Sequence, residues 1–185
     1  AQDLGVRTIQ LAGYDVYYEE KSPQTRQRFI KNLRKACDWA EEAQVVLAIE
    51  IMDDPFINSI EKYLAVEKDI DSPYLFVYPD IGNVSAWHND VYSEFYLGHH
   101  AIAALHLKDT YAVTESSKGQ FRDVPFGQGC VKWEEAFDIL KQTNYNGPFL
   151  IEMWSENCET VEETREAIQE AQAFLYPLIK KAGLM

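Results

Sequence analysis

The chain is short of basic residues and of cysteine, and each shortage narrows what it can do. Lys and Arg number 17 against 30 Asp and Glu, a net charge of −13 over 185 residues. Proteins that live on nucleic-acid phosphates or on anionic membrane surfaces need the opposite balance, so neither partner is expected. Cys37, Cys130 and Cys158 form no C-x-x-C pair. That argues against a disulfide framework or a zinc knuckle and for a reducing, cytoplasmic compartment. No apolar run approaches the ~20 residues of a membrane span, and the opening AQDLGVRTIQ has no signal-peptide core. A glycine-rich phosphate turn is also missing, which removes the usual mark of a dinucleotide-binding sheet.

What is present reads as one soluble domain, since 46% of the residues are hydrophobic and can bury a sizeable core. Apolar, β-branched runs at Thr8–Ala12, Val45–Met52, Leu75–Tyr78, Ile102–Leu107 and Pro148–Met153 alternate with amphipathic segments. That alternation is the signature of repeated βα units around a parallel sheet. Ser22 and Pro23 open the first helix, carried by Phe29, Leu33, Ala36 and Ala40 and ending near Ala43. Asn58 to Asp69, Ala86 to Leu97, Lys132 to Thr143 and Thr160 to Lys181 are expected to be helical, the last with a capping box at Thr160 and Glu163 and a stop at Gly183. Tyr111 to Gln128 is expected to be one long loop.

Four of the strand-like runs end in a residue able to hold a divalent ion: Glu50, Asp80, His106 and Glu152. Each has a bland reading by itself: an ion pair for Glu50 or Glu152, a turn for Asp80, a satisfied core imidazole for His106. Together, at matched strand ends, they describe a metal site with positions left open for substrate. Chemistry-bearing residues at the carboxyl ends of several strands favour a (β/α)8 TIM barrel over an open sheet. Five strands do not close such a barrel. At ~250 residues for a typical barrel, three further units would need roughly 90 to 100 more. The expectation is therefore that residues 1–185, opening at what reads as the end of a helix, are the carboxyl-terminal portion of a single barrel domain, its last five βα units.

The segments AQDLGVRTIQLAGYDVYY, LAIEIMDDPFINSI, YPDIGNVSAW, HLKDT, VPFGQG and IEMWSE occur in this order. In them the chain resembles the L-ribulose-5-phosphate 3-epimerases, also called L-xylulose-5-phosphate 3-epimerases, of the bacterial L-ascorbate utilisation pathway. These belong to the xylose-isomerase-like barrel superfamily. The resemblance implies that Glu50, Asp80, His106 and Glu152 ligate one divalent cation (Mn, Co, Zn or Mg), with Glu50 and Glu152 also acting as the acid/base pair. Epimerisation at carbon 3 of a ketopentose 5-phosphate removes a proton beside a carbonyl and returns it to the opposite face. Two glutamates and a metal-stabilised enediolate suit that task.

Around this centre, Asn83 is expected to offer its amide to a sugar oxygen. Lys108 or Arg122, with the backbone amides of Gly127 and Gly129, is expected to receive the substrate phosphate. Tyr14 and Tyr17 are placed to wall the pocket, and His88, His99 and His100 are read as surface or packing residues. The expected partner is a small sugar phosphate, and because such barrels often pair, a homodimer is one expected assembly. Rival readings are an aldose–ketose isomerase of the same superfamily, an abasic-site endonuclease, and a metal-binding barrel fragment that turns nothing over. The net charge of −13 counts against the endonuclease.

Overall fold

The computed structural model describes residues 1–185. β1 (Thr8–Ala12), β2 (Val46–Glu50) and β3 (Leu75–Tyr78) are parallel neighbours, and β4 (Leu105–Leu107) pairs in parallel with β7 (Phe149–Ile151). Two single bridges, Val77 with Ile102 and Asp80 with His106, join the groups. Hydrogen bonds of 2.9 Å from the Ala103 amide to the Val77 carbonyl and 3.0 Å from the His106 amide to the Pro79 carbonyl carry that junction. The result is an arc of five parallel strands in the order of the chain.

Helices cover the outside of the arc. α1 (Pro23–Ala43) begins with a reciprocal cap: Ser22 Oγ accepts from the Thr25 amide at 3.2 Å, and Thr25 Oγ1 accepts from the Ser22 amide at 2.9 Å. α2 (Ile60–Ile70) is capped by Ser59, and α6 (Val161–Ala182) by Thr160 with Glu163, ending at Gly183 with φ 74°. α4 (Val91–Gly98) packs on α2 and α5 (Trp133–Gln142), and α5 packs on α6. Leu33, Ile49, Tyr63, Val77, Phe95, Leu105 and Phe137 belong to the one large core between helices and strands. No helix is long and apolar enough to cross a membrane.

The architecture departs from the expected elements in two places. Ala86 to Leu97 is not one helix. Asp80 Oδ1 accepts from the Asn83 amide at 2.8 Å and starts a short helix, α3 (Ile81–Ala86), as soon as β3 ends. The chain then turns through a left-handed His88 (φ 60°), and Asp90 caps α4 anew. Nor is Tyr111 to Gln128 all loop: β5 (Asp109–Tyr111) and β6 (Gln120–Val124) form an antiparallel ribbon closed by a Thr114–Ser117 bridge and a left-handed Gly119. Strands β2, β4 and β7 are also shorter than their apolar runs, whose outer residues continue into loops.

Candidate functional site

Parallel register brings the strand ends to one level. Glu50 closes β2 opposite Ala12 and Tyr78. Asp80 lies just beyond β3, His106 is in β4, and Glu152 follows β7 with its amide bonded to the Leu107 carbonyl at 3.0 Å. Ligand atoms of Glu50, Asp80, His106 and Glu152 all fall within 4.8 Å of one another. His106 Nδ1 is 2.8 Å from Glu50 Oε1, 3.0 Å from Glu152 Oε2 and 3.9 Å from Asp80 Oδ2. The Tyr78 ring lies against the imidazole at a centroid distance of 4.6 Å.

The cluster is buried, Asp80 completely and Glu50 and His106 to 6% and 4% exposure. Burial alone would neutralise such groups, so their charges must be held by neighbours. Burial pushes Asp80 up to about 7 even against the attraction of Lys108. Glu152 moves the other way: burial opposes its charge, but hydrogen bonds with His106 and Asp80 and the charge of Lys108 outweigh that and hold it down. Burial also opposes the charge of His106, and the carboxylates of Glu152 and Glu50 overcome it and lift the imidazole to about 9.

The donor set suits a divalent ion. Three carboxylates and one imidazole are the ligands of a hard or borderline cation. Asp80 Oδ2 is buried and receives no hydrogen bond, the Lys108 ammonium lying 2.8 Å away but off the hydrogen-bond direction. A cation seated among the four ligand atoms would fill the hydrogen-bond direction that the ammonium leaves open at this oxygen.

The cluster opens into a cavity of about 300 Å³ whose walls include Gln10, Tyr14, Asn83, Phe121, Arg122 and Trp154. Tyr14 donates its phenol to Asp53 Oδ1, and burial together with Asp53 raises its pKa, so it stays protonated. Tyr17 packs edge-on against Tyr14 and is largely exposed. The Arg122 guanidinium stacks 3.9 Å above the Trp154 ring on the rim.

Three contacts revise the expected roles. Asn83 gives one amide hydrogen to the Ile51 carbonyl at 2.9 Å, which leaves one N–H and the buried, unpartnered Oδ1. The amides of Gly127 and Gly129 donate to Asp109 Oδ2 at 2.8 and 3.1 Å and are not open to a phosphate. Lys108 faces Asp80 and Glu152 instead of reaching outward. His88, His99 and His100 lie away from the cluster, His88 against the Val113 carbonyl and His99 against the Tyr96 carbonyl.

Sequence reasoning missed Gln10 and Asp109. Gln10 Nε2 donates to Glu50 Oε2 at 2.6 Å. A polar side chain between Ile9 and Leu11 in an apolar strand was the available signal. Asp109 is 1% exposed and organises the segment after β6. Its signal was an acid directly after a buried strand.

A family model described as xylose isomerase-like TIM barrel matches residues 1–178. A Haemophilus influenzae protein provisionally named L-ribulose-5-phosphate 3-epimerase SgbU is 54% identical over 183 residues, 99% of this chain and 63% of that protein. L-ribulose-5-phosphate 3-epimerase UlaE of Escherichia coli O157:H7 is 47% identical over all of this chain and 62% of its own length. The chain thus spans a little under two thirds of these relatives. Among solved structures, a xylose isomerase domain protein from Planctomyces limnophilus superposes with a TM-score of 0.76 at 21% identity, covering 98% of this chain and 61% of that one. An L-ribulose 3-epimerase gives 0.74 at 19% identity, covering 99% and 66%. These two likenesses speak for the fold.

Proposed function

The chain belongs to the xylose isomerase-like TIM-barrel family, and from that premise we propose that it epimerises carbon 3 of a ketopentose 5-phosphate, interconverting L-xylulose 5-phosphate and L-ribulose 5-phosphate. The observation that carries the reading is the placement of two glutamates, one at the end of β2 and one just after β7, at 2.8 and 3.0 Å from His106 Nδ1. Relatives at 47–54% identity bear the corresponding name.

Glu50, Asp80, His106 and Glu152 would hold one divalent ion, which when bound supplies Lewis-acid stabilisation of charge developing on the ketose oxygens. Glu50 and Glu152 carry the proton work. One removes the C3 proton from its side of the substrate, and the other returns a proton from the opposite side. Gln10 orients Glu50 through its 2.6 Å hydrogen bond. Asn83 offers an amide without an Oδ1 partner to a sugar hydroxyl, the Tyr14 oxygen, whose proton goes to Asp53, can accept from another, and Arg122 offers its guanidinium for the phosphate. In this reading the five parallel strands are the carboxyl-terminal five of a barrel's eight βα units. A cytoplasmic setting and a homodimer are part of the same proposal.

The test is C3-proton exchange of L-xylulose 5-phosphate in D₂O, with and without a chelator. Chelator-sensitive deuterium incorporation is expected, and Glu50→Gln and Glu152→Gln should each slow epimerisation by about 10²–10⁴-fold. Variants that still bind metal and epimerise at the parent rate would remove the two-glutamate reading.

A further inference from the structure

We propose that Lys108 is the fixed positive charge that matches this centre to a divalent rather than a trivalent ion. The inference rests on reading Glu50, Asp80, His106 and Glu152 as ligands.

Lys108 follows β4 and is 7% exposed. Its Nζ is 2.8 Å from Asp80 Oδ2 and 3.3 and 3.4 Å from the two oxygens of Glu152. No other Lys or Arg makes an ion pair with Glu50, Asp80 or Glu152. Its backbone is confined as well: a Cβ on Gly82 would lie 2.6 Å from the Lys108 carbonyl oxygen, so α3 packs directly on this residue. A long side chain that could reach water is instead folded onto two carboxylates of the cluster.

Charge accounting gives the role. Three carboxylates, set against one ammonium and an imidazole that is neutral when it ligates, leave two negative charges, the complement of one divalent ion. The carboxylate side chains are at most 16% exposed, so solvent and salt screen an imbalance poorly. Without Lys108 the same ligands present three negative charges, which a trivalent ion complements. Lys108, which also borders the cavity, therefore acts on the ion through charge and is a positioning residue for Asp80 and Glu152.

Binding of Mn²⁺, followed by its electron paramagnetic resonance signal, and of Tb³⁺, followed by sensitised luminescence and competed with Mn²⁺, tests this. In Lys108→Met and Lys108→Gln the affinity ratio of Tb³⁺ to Mn²⁺ should rise about tenfold or more, because the trivalent ion gains most from losing a nearby cation. Lys108→Arg should keep the parent ratio. The parent itself should favour Tb³⁺ over Mn²⁺ far less than nitrilotriacetate does, a three-carboxylate chelator with no fixed cation, and this comparison needs no variant to fold. A parent preference as strong as the chelator's, or an unchanged ratio in folded Met and Gln variants that still bind Mn²⁺, overturns the inference and leaves the ligand assignment standing. A parent that binds neither ion at one competed site overturns both.

Discussion

Replacing Asp109 by Asn should cost about 2 to 4 kcal/mol of stability, for reasons that can be followed bond by bond. Asp109 Oδ2 accepts from the amides of Gly127 and Gly129 at 2.8 and 3.1 Å and from Trp133 Nε1 at 3.4 Å. Oδ1 accepts from the amides of Thr110 and Val131 at 2.9 and 3.3 Å. An asparagine keeps one acceptor and turns an NH₂ group toward the donors that the other oxygen served. Suppose it keeps the Thr110 and Val131 set. Two short bonds to a charged acceptor are then lost at roughly 1.5–3 kcal/mol each, and relief from burying a carboxylate returns about a third of that sum. With a urea slope of about 2 kcal/mol/M, the unfolding midpoint should fall by roughly 1–2 M. Hydrogen exchange supplies the local half of the assay: Gly127 and Gly129 amides should lose protection before the α5 amides do. A midpoint shift below about 0.3 M with unchanged slope, or unchanged exchange at both glycines, would refute the idea that one carboxylate holds this segment.

Two further outcomes follow from the cluster. His106 has a folded value of about 9 against 6.5 for an ordinary imidazole, so the stability its proton contributes is complete below about pH 6.5 and is lost as pH rises through 9. An ion that takes Nδ1 must displace that proton, so below pH 9 uptake should release it; calorimetry in two buffers of different ionisation enthalpy checks this, and identical heats at pH 7.5 would contradict it. Gly82→Ala would set a methyl 2.6 Å from the Lys108 carbonyl and 2.8 Å from Thr110 Cγ2. It should cost about 1–3 kcal/mol and weaken Mn²⁺ binding as α3 moves off β4. An unchanged thermal midpoint would mean the junction is looser than described.

The cluster of Glu50, Asp80, His106 and Glu152 was legible in the sequence because buried parallel strands read as continuous apolar runs. Against such runs the terminal Glu50, Asp80, His106 and Glu152 stand out. The long capped helices were legible for the same local reason: Ser22 and Thr160 are chemical starts that no tertiary contact overrides. The β5–β6 ribbon was not, because Gln120, Arg122 and Asp123 are exposed and leave no alternating apolar pattern. The break between α3 and α4 turns on His88, a left-handed residue without the Gly or Pro that usually marks such a bend. Partners of Lys108 and Gln10 were hidden because they come from other strands, and those of Asp109 because most are backbone amides of the segment after β6. Spacing reports which face a side chain leaves by, and says nothing of what meets it there.

Glu50 and His106 stand 56 residues apart in the chain, and Lys108 and Glu152 stand 44 apart. No short stretch of polypeptide holds the charged centre, and the pairing of β4 with β7, which delivers Glu152, must close a long loop before any contact rewards it. In time as well as in space, then, the cluster is a terminal event. Glu50 and Asp80 already meet across the neighbouring strands β2 and β3, and the third carboxylate joins them only when β7 docks, so whatever neutralises that added charge bears on whether the docking is held.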